Sequence, residues 1–164
     1  MSNLFQDWRA NKKNSKGRIV LFAFRIAHIG SINIVLFILW IPYLVLYRIF
    51  IEWVLGIEIP FRLQLGKNTL LVHGQALVIN KECKIGNNCI LRHSTTIGNK
   101  INSDGTLSAC PIIGNNVDVG AQSCIIGPVV IGDNVKIGAG SVVIKDVAPN
   151  CVIAGNPARV IRAS

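Results

Sequence analysis

The sequence is poor in charged residues and has no residue spacing typical of a metal site. Charged residues make up 15% of the 164 residues, against 51% hydrophobic residues. There is no Cys-x-x-Cys pair and no grouping with histidine among the cysteines Cys83, Cys89, Cys110, Cys124 and Cys151. The sequence therefore predicts no bound metal. Apart from Cys110, which is discussed below, the cysteines are expected to be structural thiols in a reducing cytoplasm.

Acidic residues are fewer than basic residues. The net charge is +9, from 17 Lys and Arg against 8 Asp and Glu. In the first 25 residues Asp7 is the single acid, against the basic residues Arg9, Lys12, Lys13, Lys16, Arg18 and Arg25. A basic arm binds nucleic acid or an anionic membrane surface. The apolar segment that follows favours the membrane and argues against nucleic acid.

The chain lacks an uninterrupted apolar run of comfortable transmembrane length. Ser31 to Tyr47 carries no charge, but this is the lower limit for a bilayer span, and Pro42 would kink it. We predict two or three helices between residues 19 and 59, which form a buried cap or oligomer contact, lie in the membrane interface, or cross the bilayer. Interfacial anchors would be Trp40, Tyr43, Tyr47 and Trp53. No small-residue cleavage site follows the first apolar run, so no signal peptide is predicted.

An aliphatic residue recurs at every sixth position, with one interruption. The positions are Ile79, Ile85, Leu91, Ile97, Ile113, Val119, Ile125, Ile131, Ile137 and Val143, and an earlier frame, offset by two residues, holds Leu65, Leu71 and Leu77. This period fits neither a helix nor simple strand alternation and is the signature of a hexapeptide-repeat β-solenoid. Three hexads per triangular coil make about eighteen residues, so roughly five coils are expected from Leu65 onward.

Small residues follow many of these aliphatic positions. Glycine stands directly after six of the ten later ones, as Gly86, Gly98, Gly114, Gly120, Gly132 and Gly138. These glycines, and the asparagines Asn80, Asn87, Asn115 and Asn134, are predicted to supply positive φ at the corners of the coil. The fold class is therefore mainly β, a parallel β-helix of hexapeptide repeats over residues 58–164. Residues 1–57 form a basic arm and an apolar α-helical segment.

The repeat is interrupted once, between Ile97 and Ile113, which are sixteen residues apart. The intervening segment from Asn99 to Pro111 is polar, and a solenoid that leaves its register extrudes a loop. Such loops commonly carry binding functions. The alternative is a tolerated surface insertion.

Two histidines occupy equivalent places in neighbouring coils. His73 and His93 are each third in their hexads and lie twenty residues apart, one coil plus the frame shift. We predict that they project from one face, one strand spacing apart and near the loop, unless each has a separate structural role. A neutral imidazole accepts a proton from a hydroxyl if a partner orients its other nitrogen. Glu58 is the predicted partner, and an exposed junction residue is the alternative.

The hexads, together with LLVHGQALVIN, IGAGSVVIKDV and AGNPARVI, resemble the serine acetyltransferase branch of the left-handed β-helix acyltransferases, from about Leu44 to Ile161. The resemblance implies a left-handed helix, a homotrimer and acetyl-CoA as acyl donor. It implies His73 as general base and Glu58 as helper acid, because the family's helper carboxylate precedes the histidine by the same fifteen residues. Glu stands here where the family has Asp.

By position, the resemblance also implies where acetyl-CoA would lie, in a groove between two subunits. Its contacts would be the backbones of Ala121 and Ala139, the loop start at Asn99 and Lys100, Lys136 near the phosphates, and Arg159 near the adenine. A basic side chain near phosphates and backbone amides along the pantetheine arm are chemically reasonable partners.

The acceptor site departs from that of serine acetyltransferases. Val72 stands where they have an Asp before the catalytic histidine, and Ala109-Cys110 where they have an Arg-His pair before Pro111. Those charged groups bind the serine ammonium and carboxylate. The apolar N-terminal segment and the sequence around His73 and Cys110 resemble instead the colanic-acid type of exopolysaccharide O-acetyltransferase.

The leading hypothesis is therefore an acetyl-CoA-dependent O-acetyltransferase that transfers the acetyl group directly to a sugar or a lipid-linked oligosaccharide. His93 and Cys110 are predicted to contact this acceptor. The enzyme is expected in the cytoplasm, peripheral on the inner face of the membrane. Two alternatives stay open: a serine acetyltransferase, disfavoured by the missing acceptor charges, and a catalytically silent hexapeptide scaffold, disfavoured by Glu58, His73 and Lys136.

Overall fold

The structure is a computed structural model and describes residues 3–163. Two helices come first, α1 (Ser15–Gly30) and α2 (Ile34–Tyr47), and α2 continues into a π-helical segment, Arg48–Val54. Short strands follow and wind into a parallel solenoid with three faces. The solenoid begins at Ile57, one residue before the predicted boundary, because Ile57 already pairs with Leu77 of the next coil.

Each face of the solenoid is one sheet. The first sheet contains β1 (Ile57–Glu58), β4 (Leu77–Ile79), β7 (Thr96–Gly98), β10 (Cys124–Ile126) and β13 (Val142–Val143). The second contains β2 (Gln64–Leu65), β5 (Lys84–Ile85), β8 (Ile112–Ile113) and β11 (Val130–Ile131). The third contains β3 (Leu70–Val72), β6 (Ile90–Arg92), β9 (Asp118–Val119), β12 (Lys136–Ile137), β14 (Cys151–Gly155) and the antiparallel β15 (Ala158–Ala163). The five strands of the first sheet correspond to the predicted five coils.

The aliphatic residues of the six-residue repeat fill the solenoid interior, as predicted. Every repeat position from Leu65 to Val143 is at most 8% exposed. Burying one such side chain contributes about 1.5–3 kcal/mol. The two-residue frame shift lies within β4, where Leu77 packs beside Ile57 and Ile79 beside Ile97, so that both ends of one strand face inward.

The glycines of the repeat provide space between coils, and the prediction that they supply positive φ is wrong. Gly86 does not have a positive φ, but a Cβ there would lie 2.5 Å from the carbonyl oxygen of Gly114 in the next coil. The left-handed conformation occurs two residues later in the corner, at Asn88, Asn116 and Asn134. Of the four asparagines predicted to adopt it, only Asn134 does so.

The N-terminal arm is a fixed part of the first coil. The Asn11 side chain donates to the carbonyl of Thr69 at 2.8 Å and accepts from the N–H of Leu71 at 3.1 Å. The Asn14 amide donates to the carbonyl of Leu71. Because β3 is the edge strand of the third sheet, these two amides satisfy backbone groups that the edge would leave open.

A buried ion pair ties the arm to α1. Arg25 Nε lies 2.8 Å from Asp7 Oδ2, and the two side chains are 3% and 4% exposed. The Arg25 guanidinium also donates to the carbonyls of Leu65 and Gly66. The sequence placed Arg25 in a surface basic arm, but the side chain is buried. A buried guanidinium needs the partners that this carboxylate and these carbonyls provide.

The helices lie across the first coil. Tyr43 of α2 donates to the carbonyl of Ala23 in α1, and Tyr47 donates to the carbonyl of Ile59 at 2.7 Å. The outer side of α2 is exposed and apolar, with Ile34, Val35, Ile38, Leu39, Ile41, Val45 and Leu46. Within residues 3–163, one helical stretch, Ile34–Val54, is long and apolar enough to cross a membrane, judged by length and composition alone.

Candidate active site

His73 and His93 leave the solenoid at the same corner, between the third and first sheets. Val72 of β3 pairs with Arg92 of β6, so the histidine that follows each strand stacks on the other. Their ring centroids lie 5.7 Å apart, edge to face. The structure thus confirms that the two histidines share one face, and we name this place the histidine corner.

His73 opens into a cavity of about 550 Å³. The other residues that line it are Ala10, Lys12, Lys13, Asn14, Leu70 and Val72. The walls therefore combine an apolar floor from β3 with two ammonium groups from the arm. His73 also has a φ of 63°, the left-handed region that a side chain with a Cβ adopts at a cost.

His93 is half-buried and carries an unusual polar atom. Its Nδ1 is buried, and no hydrogen-bond partner is present within the described residues. A buried ring nitrogen without a partner is costly, by about 1–3 kcal/mol. Because this nitrogen is buried, a molecule bound next to the His73 ring would reach it only if the His93 imidazole turned.

The structure does not bring Glu58 to His73. Glu58 is exposed on β1 and lines a separate cavity of about 260 Å³ with Arg62 and Lys81. Across residues 3–163, no hydrogen bond or ion pair joins its carboxylate to the imidazole. The fifteen-residue spacing correctly indicated that the two residues lie less than one coil apart. However, His73 lies at the corner after β3, whereas Glu58 lies within β1 on the outer face of the first sheet.

The loop from Asn99 to Pro111 leaves from a different corner, between the first and second sheets. The three-residue strand β7 separates this loop corner from His93, a distance of about 10 Å along the sheet. The loop itself is a closed hairpin: Ser108 N–H donates to the carbonyl of Lys100 at 2.8 Å, and Ile101 bridges Leu107. Within one chain, the loop is therefore not adjacent to the histidines, contrary to the prediction that they lie near it.

Cys110 ends this loop and interacts with Cys83. Burial, reinforced by the neighbouring Cys110, raises the pKa of the Cys83 thiol to about 12. Cys110 is half-buried against the core, on the loop corner. The single chain thus separates the two residues predicted to contact the acceptor, His93 and Cys110.

The positions implied for acetyl-CoA fall into two groups. Ala121 and Ala139 lie along the histidine corner, where Gly140 N–H donates to the carbonyl of Ala121 at 2.9 Å. Lys136 is exposed on the neighbouring third sheet, and Arg159 is exposed beside a cavity of about 230 Å³.

Asn99 and Lys100 form the second group, on the loop corner. The Asn80 side chain donates to Asn99 Oδ1 at 3.1 Å, and the Lys100 stem passes over Gly127. A ligand that touches both groups must therefore bridge two corners of the solenoid.

Two further lysines at the candidate site were not predicted as site residues. Lys12 and Lys13 line the His73 cavity, although the sequence placed them in a general membrane-facing arm. The sequence offered one signal for their position, the asparagines Asn11 and Asn14 on either side of them. Both asparagine amides anchor the arm to the chain segment of β3. No group of three or more His, Cys, Asp or Glu side chains that could hold a metal ion occurs within residues 3–163.

Known proteins resemble this chain in sequence over up to 96% of its length. A family model described as "Bacterial transferase hexapeptide (six repeats)" matches residues 110–145. The chain is 41% identical over 161 residues to the putative colanic acid biosynthesis acetyltransferase WcaB of Escherichia coli (strain K12), which covers 96% of this chain and 98% of that relative.

Solved structures support the same relationship. The serine acetyltransferase (CysE) of Neisseria gonorrhoeae has a TM-score of 0.76 at 28% identity, covering 98% of this chain and 64% of that chain. A serine acetyltransferase from Brucella abortus strain S19, in complex with coenzyme A, has a TM-score of 0.80 at 25% identity, covering 98% of this chain and 67% of that chain. This chain thus spans about two thirds of the length of these left-handed β-helix enzymes. The chain belongs to the hexapeptide-repeat acetyltransferases, and it is an acyltransferase.

Proposed function

We propose that this acetyltransferase moves the acetyl group of acetyl-CoA to a sugar hydroxyl in the synthesis of an exopolysaccharide or capsule. The observation that carries the proposal is the charge of the His73 cavity, which within residues 3–163 is lined by Lys12 and Lys13 and by no acidic side chain. An amino acid acceptor needs a carboxylate for its ammonium group, whereas a sugar hydroxyl does not. The name of the WcaB relative, a putative colanic acid biosynthesis acetyltransferase, supports the same class of acceptor.

The proposed chemistry is a direct transfer with His73 as general base. The imidazole removes the proton from the acceptor hydroxyl as the oxygen attacks the thioester carbonyl carbon. The carbon–sulfur bond breaks, and the coenzyme A thiolate takes the proton back from the imidazolium. His93, whose ring lies against that of His73, would hydrogen-bond to the acceptor or to the developing oxyanion once its imidazole turns the buried Nδ1 outward.

The geometry supports catalytic roles for Glu58 and Cys110 less directly than it supports one for His73. Glu58 remains our proposed helper acid, although its position on β1 requires the carboxylate to move before it reaches His73. Cys110 remains a proposed acceptor contact. Within one chain it lies on the loop corner, away from His73, so a neighbouring subunit would have to supply it.

A homotrimer is typical of this family, and we propose it for this chain. The residues implied for acetyl-CoA occupy two corners of one chain, and a groove between neighbouring subunits would join the histidine corner of one to the loop corner of the next. The exposed Ile101 and Leu107 of the loop hairpin, at 73% and 67% exposure, would gain cover in such a groove.

We also propose that the enzyme is cytoplasmic and lies on the inner face of the membrane through α2. Phe37 near the start of α2 packs on Phe61, with ring centroids 6.3 Å apart, and Tyr47 at its end bonds to Ile59. Both ends of the helix are thus held on the first coil, so its apolar outer side faces away over its whole length. This arrangement suits a helix lying in the plane of the interface better than one that crosses the bilayer.

Vesicle binding tests the membrane proposal. The wild type is expected to sediment with vesicles of phosphatidylcholine and phosphatidylglycerol, and Ile38→Ser/Leu39→Ser to remain in the supernatant. Exposed Ile112→Ser/Val130→Ser on the second sheet is the matched control. If the α2 variant still sediments but no longer forms the trimer, the apolar side of α2 is an oligomer contact instead.

Acceptor screening tests the enzymatic proposal. Release of the coenzyme A thiol is measured with purified protein, acetyl-CoA and either L-serine or a panel of sugars and glycosides. Transfer to a sugar with little or none to serine is expected. Efficient transfer to serine identifies a serine acetyltransferase, and failure of acetyl-CoA to raise the melting temperature identifies a non-catalytic scaffold.

A further inference from the structure

Lys12 and Lys13 are two adjacent cations held at the mouth of the His73 cavity. Both side chains are exposed, and neither forms an ion pair within residues 3–163. The mechanism proposed above gives them no role, because proton transfer and thioester cleavage need only the imidazole and the substrates. Their place beside the proposed general base raises the question of which ligand they would bind.

The arm that carries these lysines is held in place on both sides. Asn11 before them bonds to the carbonyls of Asp7 and Thr69, and Asn14 after them bonds to the carbonyl of Leu71. Lys12 and Lys13 thus lie between two anchored residues, on a backbone fixed against the edge of β3. A pair of cations on a fixed backbone loses less conformational entropy on binding an anion than a mobile basic tail does.

The electrostatic surroundings favour an anion. Among the described residues, no acidic side chain lines the cavity, and the nearest acid along the chain, Asp7, is already neutralised by Arg25 at 2.8 Å. An ammonium group binds phosphate oxygens as a point charge, and two of them match a group with more than one negative charge. A volume of about 550 Å³ is within the range of small-molecule sites.

The phosphates of acetyl-CoA are an unsuitable occupant, because they are expected at the other end of the solenoid. Along the third sheet, Leu70 pairs with Ile90, Ile90 with Asp118, and Asp118 with Lys136. Lys136, the residue implied for the coenzyme phosphates, is therefore three coils from the cavity, about 14 Å. The lysine pair lies along the outer edge of β3, on the side of the first coil that faces away from Lys136.

We propose that Lys12 and Lys13 bind a phosphate or diphosphate group of the acceptor, so that the substrate is a phosphorylated saccharide and not a neutral glycan. This inference rests on the proposed sugar acetyltransferase function and specifies its acceptor. The anion sits at the arm, the sugar hydroxyl reaches His73, and His93 lies behind it. The same chemistry fits a soluble sugar phosphate and a saccharide carried on a lipid diphosphate.

Binding of inorganic diphosphate tests the site without turnover. Calorimetry should show that diphosphate binds the wild type and binds Lys12→Gln/Lys13→Gln about tenfold more weakly, since each exposed ion pair contributes up to about 1 kcal/mol. Lys67→Gln/Lys84→Gln removes the same charge from another face and should bind like the wild type. Equal binding by all three proteins, or loss of diphosphate binding when free coenzyme A is present, overturns the proposal.

Kinetics separates this inference from the proposed function. Acetylation is measured on glucose, galactose and fucose, each as the 1-phosphate and as the methyl glycoside. Wild type should prefer the 1-phosphates, and Lys12→Gln/Lys13→Gln should lose that preference through a higher KM while the KM for acetyl-CoA is unchanged. Equal rates on both series refute the lysine site alone, whereas no transfer to any sugar, with transfer to serine, refutes the proposed function.

A lipid-linked source is distinguished by adding vesicles. If the preferred acceptor is carried on a lipid diphosphate, the rate on a short-chain polyprenyl diphosphate saccharide rises when vesicles are present, and the Ile38→Ser/Leu39→Ser variant loses that rise. If the acceptor is a soluble sugar phosphate, vesicles leave the rate unchanged.

Discussion

The imidazole rings of His73 and His93 meet edge to face, with centroids 5.7 Å apart, although the residues lie twenty positions apart in the chain. The contact follows from the parallel register, which pairs Val72 with Arg92 and so stacks the next residue of each coil at the same corner. The two rings differ in their surroundings: His73 is exposed, whereas His93 holds a buried Nδ1 without a partner. This asymmetry favours the exposed His73 as the group that exchanges a proton, and His93 contacts a ligand through Nδ1 only after its ring turns.

Replacing His73 tests the proposed general base. We expect His73→Ala to lower kcat/KM by about 10²–10⁴-fold, the usual contribution of general-base assistance. Because His73 is exposed at a corner, the fold and the acetyl-CoA affinity should be unaffected, as measured by circular dichroism and calorimetry. A fully active His73→Ala variant would refute the mechanism.

Glu58→Gln is the comparison for that variant. We expect a smaller loss than for His73→Ala, because no hydrogen bond joins the two side chains within residues 3–163 and Glu58 would act only by orienting the imidazole. If Glu58 serves His73, the acidic limb of the pH–rate profile should move in the Gln variant. An unchanged profile with reduced stability would instead assign Glu58 to the groove that it shares with Arg62 and Lys81.

Cys110 should not carry an acetyl group during the reaction. It sits on the loop corner against Cys83, whose pKa is raised to about 12 by burial and by Cys110 itself, so Cys83 remains a neutral thiol near pH 7 and offers no base. Cys110→Ser is therefore expected to stay substantially active. Intact-mass spectrometry of enzyme mixed with acetyl-CoA checks this directly, and an acetyl thioester lost in Cys110→Ser would show a two-step transfer.

The loop hairpin should govern the acceptor more than acetyl-CoA. Its stem is closed by the 2.8 Å hydrogen bond between Ser108 and Lys100, so residues 101–107 can be replaced by two glycines without opening the solenoid. We expect a higher acceptor KM, or loss of transfer, with acetyl-CoA binding close to normal. Light scattering must accompany the assay, since a mass near 17.8 kDa instead of about three times that value would show that the hairpin holds the trimer together.

The sequence predicted the interior of this fold well because a strict period constrains it. Each repeat position from Leu65 to Val143 is buried, and the twenty-residue spacing placed His73 on His93. Spacing along the chain does not show whether a glycine is needed for a positive φ or for space between coils. The positive φ was therefore predicted at Gly86, whereas it occurs at Asn88. Contacts between residues outside the repeat could not be predicted from the sequence either, because no period relates their positions.

The N-terminal arm is the clearest case of such a contact. Asn11 reaches Leu71 across sixty residues, and Asp7 reaches Thr69 across sixty-two, and neither pair belongs to a repeat or a common motif. From composition alone the arm was a basic tail for a membrane. Its fixed position, and hence the presence of Lys12 and Lys13 at the candidate site, depends on individual hydrogen bonds that only the folded chain defines.

Two glycines of the repeat offer a matched test of close approach between coils. A Cβ at Gly86 would lie 2.5 Å from the Gly114 carbonyl oxygen, whereas at Gly98 the nearest atom would be 3.6 Å away, and neither glycine has a positive φ. We expect Gly86→Ala to lower the free energy of unfolding by about 1–3 kcal/mol, the usual cost of overpacking. Gly98→Ala should be close to neutral. Chemical denaturation of both variants measures the difference, and equal stabilities would show that the coils separate easily.

The buried Asp7–Arg25 pair links the stability of the fold to the candidate anion site, because it ties the arm that carries Lys12 and Lys13 to α1. Asp7→Ala leaves the Arg25 guanidinium buried without its carboxylate, and removing one partner of a buried pair costs about 3–5 kcal/mol. The Thr69 N–H, which donates to Asp7 Oδ1 at 2.8 Å, loses its acceptor as well. Unfolding by denaturant should therefore begin at a lower concentration.

The same variant should also bind inorganic diphosphate less well, since the arm that holds Lys12 and Lys13 is no longer tied to α1. Asp7→Leu/Arg25→Leu removes both charges and should recover much of the stability while leaving the arm less well fixed. Stability that recovers without recovery of diphosphate binding would assign Asp7 to positioning the arm. If diphosphate binding is normal in Asp7→Ala, then Asn11 and Asn14 alone suffice to hold the lysines, and the ion pair serves only the core.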